Sequence, residues 1–166
     1  MSGHGEFDII REFFTRPVHD ETVVRGIGDD AALLTVPAGE ALVVTTDARG
    51  AGRHFPDHAH ANDIGWKSLA VNLSDLAAMG ATTRWVSLAI TLPSNDASFL
   101  RDFSHGFFAL ADQAHVNLIG GDTTRGPLSI TVTAMGSVPV AQALRRDSAR
   151  PDDDLYVSGT LGEAGW

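Results

Sequence analysis

Trp85-Val86-Ser87-Leu88-Ala89-Ile90-Thr91-Leu92 runs into Pro93-Ser94-Asn95, and a new pattern begins at Asp96. The first eight residues are mostly apolar or β-branched and too short a run for an ordinary helix, so they read as a strand. Ser94 and Asn95 supply oxygens that cap a helix N-terminus. From Asp96 to Ala114, Phe99, Phe103 and Phe107 recur at i, i+4 and i+8, the stripe of a helix buried on one side. Val116 to Ile119 is a second strand, and Leu128 to Val138 a third, either side of Gly120-Gly121-Asp122-Thr123-Thr124-Arg125-Gly126-Pro127, which reads as a turn.

Working outward, Ala61 to Met79 is a long helix ending at Gly80, a common residue just past a helix C-terminus. Ala31 to Thr35 and Ala41 to Thr46 are short β-rich runs split by the turn Pro37-Ala38-Gly39. Ala48 to His60 is a loop rich in glycine and histidine. Phe7, Ile10, Phe13 and Phe14 mark a short amphipathic helix from Gly5 to Thr15, stopped by Pro17. Alternating helices and strands, with some strands adjacent, predict an α/β (α+β) fold: a mixed β-sheet with helices packed on one face. Residues 1–138 form one domain and residues 139–154, with Arg145, Arg146 and three successive aspartates, a charged linker. Residues 155–166 read as the first strand, Leu155 to Ser158, of a truncated second domain.

The 166 residues carry 21 acidic side chains against 12 basic ones, a formal charge of −9. Sixteen of the acids are aspartate, and Lys67 is the only lysine. Such a chain is poorly suited to nucleic-acid phosphates and well suited to cations. The absence of cysteine excludes disulfides, thiolate zinc and a cysteine nucleophile. No signal peptide and no uninterrupted apolar span is visible, so a cytoplasmic protein that makes no use of a membrane is expected.

The aspartates cluster where strands begin and end. Asp29 and Asp30 enter one strand, Asp47 follows Thr45-Thr46 at the end of another, and Asp122 follows Gly120-Gly121. Asp75 lies in an apolar helix one turn from Asn72, where a buried carboxylate needs a partner. Carboxylates and threonine hydroxyls converging on one point are the oxygen-only set that Mg²⁺ prefers. Any one of these aspartates is better explained as a turn or cap residue, an explanation that weakens for four together. The Gly120–Gly126 stretch could cradle a phosphate, since glycines let backbone N–H groups approach an anion. A Walker A loop is excluded, because Trp66 and Ala61 stand before Lys67-Ser68 where glycines are needed. Phosphate chemistry here has to use metals and arginine. His58 and His60 fit no zinc spacing and read as solvent-facing. His54, followed by Phe55, is better placed to touch a ligand.

Gly26-Ile27-Gly28-Asp29-Asp30-Ala31-Ala32, Thr45-Thr46-Asp47 with His54-Phe55, the helix Lys67 to Ala81, Leu118 to Gly126, and Tyr156-Val157-Ser158-Gly159-Thr160 follow one another in an order that resembles the thiamine-monophosphate kinase family. That family belongs to the superfamily of aminoimidazole ribonucleotide synthetase. The resemblance implies ATP-dependent phosphorylation of thiamine monophosphate to thiamine diphosphate by direct in-line transfer. It implies several Mg²⁺ ions held by Asp30, Thr45, Thr46, Asp47, Asp75 and Asp122. Gly121, Asp122 and Arg146 would lie against ATP, with the position of His105, where residue type varies in the family, also touching the nucleotide. His54 would contact thiamine monophosphate, and no general base or other catalytic side chain is assigned. The superfamily also implies a homodimer whose N-terminal domains close an eight-stranded barrel, which would cover exposed strand edges. The segment Ala48 to Arg53 is more basic than is usual in the family. Because the family's second domain is missing, this chain alone is expected to be nearly silent. The alternatives are a non-catalytic Mg-nucleotide-binding or dimerisation module, or another superfamily member such as a hydrogenase-maturation protein.

Overall fold

The computed structural model describes residues 5–18, 20–157 and 159–162. The first helix, α1 (Glu6–Ile9), continues through a wider π-type turn, Ile10–Phe14. A small antiparallel ladder, β1 (Val23–Arg25) and β2 (Leu33–Leu34), follows. The body of the chain is β3 (Glu40–Gly50), α2 (Ala61–Ala78), β4 (Thr82–Leu92), α3 (Ala97–Gln113), β5 (Asn117–Arg125) and β6 (Ser129–Pro139). The sheet order is β3-β6-β4-β5, with β4 and β5 parallel and the other two pairs antiparallel. This is the expected mixed sheet, and α2 packs on it while α3 packs along α2.

Register decides which residues are covered. Val86, Leu88 and Ile90 of β4 stand beside Ala134, Val132 and Ile130 of β6, and all six are buried. In the same rows on β3 come Thr45, Asp47 and Arg49, so these three face the helices. The alternate residues Leu42, Val44, Thr46 and Ala48 face the other side, as do Thr131, Thr133 and Ser87, because successive side chains of a strand point to opposite faces. Leu42 and Val44 remain 48% and 53% exposed there. Trp85 on that open face is fully buried, and its Nε1–H donates to Thr22 Oγ1 at 3.1 Å.

The helices begin and end close to where the sequence places them, for local reasons, but the N-cap of α3 is Asp96, the residue after the expected Ser94 and Asn95. Asp96 accepts from the N–H groups of Ser98 and Phe99 at the start of α3. At the end of α2, Gly80 takes φ +70, its N–H reaches Ala77 O, and the Ala81 N–H reaches Leu76 O. That is the Schellman arrangement, which satisfies carbonyls left over at a helix end. The two helices meet closely at glycines. A Cβ on Gly65 would lie 2.1 Å from the Phe103 carbonyl oxygen, and one on Gly106 would lie 1.9 Å from that of Asn62. Phe99, Phe103 and Phe107 stack at 6.0 and 6.2 Å along α3, and Phe14 meets Phe103 edge-on at 6.4 Å. Each buried phenylalanine contributes roughly 1.5–3 kcal/mol of transfer free energy. Among the described residues no helix is long and apolar enough to cross a membrane.

Further expectations about strands differ from the structure. β3 runs to Gly50, so Asp47 lies inside a strand and not at its end. Gly120 to Arg125 belong to β5, because pairing with β4 satisfies their backbone groups better than a turn. Leu155 to Val157 form no strand and pair with none among the described residues, outside which Ser158 lies.

At one end of the sheet Glu40 ties three strands together. It accepts from Ser137 Oγ, and Arg84 Nη2 donates to it at 3.2 Å, while Arg84 Nε reaches Ser137 Oγ at 2.5 Å. The Ser137 hydrogen bond holds the Glu40 carboxyl below its usual value; burial opposes it, and the hydrogen bond and charge of Arg84 lower it further. A lowered folded-state pKa stabilises above the unfolded value and is lost as pH falls through the folded one. Glu40→Gln is therefore expected to lower the urea midpoint at about pH 7, with the gap to the parent closing toward about pH 3. A gap that widens in acid would refute this. Gly106→Val is expected to cost about 2–3 kcal/mol or more in urea unfolding, because backbone cannot yield as a side chain can. A loss within experimental error would show that the helices can separate freely.

Candidate functional site

Two separate places collect the candidate residues. The first is the seam between α2 and β3. Thr45 Oγ1 donates to Asp75 Oδ2 at 2.9 Å, joining a strand hydroxyl to a helix carboxylate. Asp47 lies two residues along on the same face, and Arg49 Nη2 stands 2.9 Å from its Oδ2. Asp75 is exposed, contrary to its expected burial; the fully buried polar side chain of this helix is Asn72, one turn earlier. Helical spacing turns Asn72 inward with Leu69 and Leu76, whereas Asp75 falls at the seam's rim. Asn72 Nδ2 donates to Ser68 O at 3.1 Å, and its Oδ1 has no partner among the described residues.

The linker comes back to this seam. Leu144 donates its N–H to Met79 O at 3.0 Å and packs on Gly80, which ties the chain beside the end of α2 nearest Asp75. Arg146, exposed, follows two residues later. Beyond β3, the loop folds on itself through His54 N–H to Gly50 O and Gly52 N–H to Phe55 O, with Phe55 buried. The Gly50 N–H donates to His54 Nδ1 at 3.1 Å, so the neutral imidazole carries its proton on Nε2. His58 and His60 are exposed, as expected.

The second place is a hollow of about 790 Å³ beside β5, walled by α1, residues 27–32 and the β4–β5 pair. Asp29, Asp30, Gly121, Asp122 and Ser87 line it. Asp29 is committed to its own turn: its Oδ1 accepts the Asp30 N–H at 2.9 Å and its Oδ2 pairs with Arg25 at 3.1 Å. Gly121 sits at φ +152, and a Cβ there would lie 1.7 Å from the Leu88 carbonyl oxygen. Its missing side chain is required by strand pairing, whatever else the glycine does.

The sheet keeps these places apart. Asp47 is on β3 and Asp122 on β5, at opposite ends of the order β3-β6-β4-β5. Three strand spacings put them about 14 Å apart. They also face opposite ways, since Asp122 shares a row with Ala89 and Thr131 on the open face. Thr46 turns to that open face too, where its Oγ1 meets Thr133 Oγ1 at 3.0 Å. His105 is exposed with Nδ1 3.4 Å from Asn62 Nδ2, near the start of α2 and about 20 Å from Asp75 by helical rise. Among the described residues no three His, Asp or Glu side chains are gathered closely enough to share one metal ion. Sequence reasoning left Arg49 and Asn72 without roles in the site. Strand alternation from Asp47 was the signal for the first, and the helical face shared with Leu69 and Leu76 for the second.

Residues 28–138 match the family model described as AIR synthase related protein, N-terminal domain. The chain is 48% identical over 161 residues to the thiamine-monophosphate kinase of Salmonella typhimurium, covering 96% of this chain and 50% of that protein. The crystal structure of thiamine-monophosphate kinase from Stenotrophomonas maltophilia superposes with a TM-score of 0.82 at 60% identity, over 88% of this chain and 46% of that one. AaThiL complexed with AMPPCP and TMP superposes at 0.65 with 26% identity, over 70% of this chain and 38% of that one. The chain thus spans about half the length of the curated relatives it matches.

The glycine pair supplies a test of what β5 requires. Gly121→Ala is expected to cost at least about 2–3 kcal/mol in urea unfolding, from positive φ and backbone collision together. Gly120→Ala, with nothing within 4 Å of the added Cβ, should stay within about 0.5 kcal/mol of the parent. Equal effects would mean that Gly121 is not placed as described.

Proposed function

We propose a function from the premise that this chain belongs to the family of AIR synthase related proteins, through that family's N-terminal domain: it carries the Mg-nucleotide half of a thiamine-monophosphate kinase. The reaction moves the γ-phosphoryl group of ATP onto the phosphate of thiamine monophosphate, giving thiamine diphosphate and ADP. The observation that carries this reading is the Thr45–Asp75 contact beside Asp47, an oxygen-only set on a rigid seam, in a chain so similar to kinases of that name. A relative solved with AMPPCP and TMP supports the substrate pair.

The residues fit Mg²⁺ by their chemistry. Mg²⁺ keeps several waters and is commonly held by one or two carboxylates plus substrate phosphates. Thr45, Asp47 and Asp75 offer such a partial oxygen set, and the unpartnered Asn72 Oδ1 one turn away is an acceptor for a water. Asp30 and Asp122 offer a second partial set in the hollow, and Thr46 a hydroxyl on the open face. Bound there, Mg²⁺ offsets phosphate charge and polarises the phosphoryl group being transferred.

The chain's own side chains orient and neutralise. His54, with Nδ1 occupied by the Gly50 N–H, presents Nε2–H as a donor to the thiamine-monophosphate phosphate. Arg146, on a linker tied to the end of α2, adds positive charge for the nucleotide phosphates, a task a P-loop lysine performs elsewhere. No general base is needed, because a phosphate oxygen is already ionised. That oxygen forms the new bond to the γ-phosphorus as the bond to the ADP oxygen breaks.

A homodimer belongs to this reading. The open face leaves Leu42 and Val44 of the edge strand β3 half exposed, and two four-stranded sheets make the eight strands of a barrel. Residues 1–138 are then the nucleotide and dimer domain, 139–154 the linker, and 155–166 part of a second folding unit. Leu155 and Tyr156, 95% and 86% exposed, support the last assignment. A cytoplasmic location suits the use of ATP and Mg²⁺.

In the protein carrying both halves found in its relatives, Asp47→Asn and Asp75→Asn are each expected to lower Mg²⁺-dependent thiamine diphosphate formation about 10²-fold or more. Circular dichroism should be unchanged. Rates within a few-fold of the parent in either variant would overturn the assignment.

A further inference from the structure

Arg49 has no part in the function proposed above, yet it is the best-buried ion-pairing arginine at the site. Strand alternation places it on the helix-covered face with Thr45 and Asp47, and its side chain is 13% exposed against 35% for Asp47. Nη2 contacts Asp47 Oδ2 at 2.9 Å, but Nε is buried and has no partner among the described residues. A strong arginine–carboxylate pair is forked, with two parallel N–H donors on two oxygens. Here an unused buried Nε shows a pair that is close but incompletely satisfied, which makes the guanidinium easier to dislodge.

We propose that Arg49 is a resident counter-ion of Asp47 that competes with a divalent cation for this carboxylate, so that the arginine lowers the cation affinity of the α2–β3 seam. The proposal rests on the reading of Asp47 as a cation ligand. The guanidinium bonded to Oδ2 takes up part of the acceptor capacity of the Asp47 carboxylate and places a positive charge beside it. Two positive groups on one small carboxylate repel each other, so the arginine weakens cation binding there. The alternation that sets Arg49 two residues from Asp47 keeps the competitor at hand, since i and i+2 share one face of a strand.

The test is titration of the intact protein with Mn²⁺ alone, free Mn²⁺ being read by electron paramagnetic resonance with no nucleotide present. The parent, Arg49→Met, Asp47→Asn and the double variant are compared. Methionine keeps much of the aliphatic bulk and removes the charge; Arg49→Gln serves if it does not fold. Arg49→Met is expected to tighten the Asp47-dependent binding about five- to tenfold, and the double variant to lose that gain. Binding that weakens in Asp47→Asn but is no tighter in Arg49→Met or Arg49→Gln would overturn the counter-ion role and leave the cation site standing. Binding indifferent to Asp47→Asn would overturn the ligand reading and the proposal with it.

Discussion

The close crossing of α2 and α3 at Gly65 and Gly106 is the constraint on which the arrangement depends. Any side chain at either position would enter the opposite helix's backbone, at 2.1 Å from the Phe103 oxygen or 1.9 Å from that of Asn62. Backbone contact sets the position of α2 more sharply than side-chain packing does, because neither surface can rearrange to absorb an error. With α2 seated, Leu69, Asn72 and Leu76 are fully buried, and the next helical position outward puts Asp75 at hydrogen-bond distance from Thr45. The phenylalanine stripe of α3 supplies the apolar burial, and the glycines supply the registration.

The sheet order then divides the acidic residues. Placing β6 and β4 between β3 and β5 sends Asp47 and Asp122 to opposite edges and opposite faces. Four carboxylates gathered in one unligated pocket would repel one another; two distant partial sets cost far less. At the seam the charge is balanced further by Arg49, and in the turn beside the hollow Arg25 balances Asp29. The formal charge of −9 is therefore not concentrated at one point of the fold.

Some of this was legible in advance because its physics is local. Gly80 closing α2 and the helical run Phe99-Phe103-Phe107 each follow from contacts within a few residues, as does the start of α3, although its cap is Asp96 and was read one or two residues early. The readings that failed depend on distant partners. Gly120-Gly121 has the composition of a turn, but β4 draws it into a parallel ladder, where Gly121 is needed for the approach to Leu88. Asp75 was expected to be buried because the helix around it is apolar, and the buried polar residue is Asn72. Leu155 to Val157 have strand composition but pair with no strand among the described residues.

By itself, then, the sequence determined the helices, the main strands, a mixed sheet covered on one face, the family, and the aspartates and histidine worth watching. Those follow from periodicity, capping and ordered motifs, which are properties of neighbouring residues. Only the tertiary structure decided that the acidic residues fall into two places, with Asp47 and Asp122 at opposite edges and on opposite faces of the sheet. Such outcomes turn on strand order and register, set by pairings between residues about 30 to 100 positions apart, for which no local stretch carries a signal.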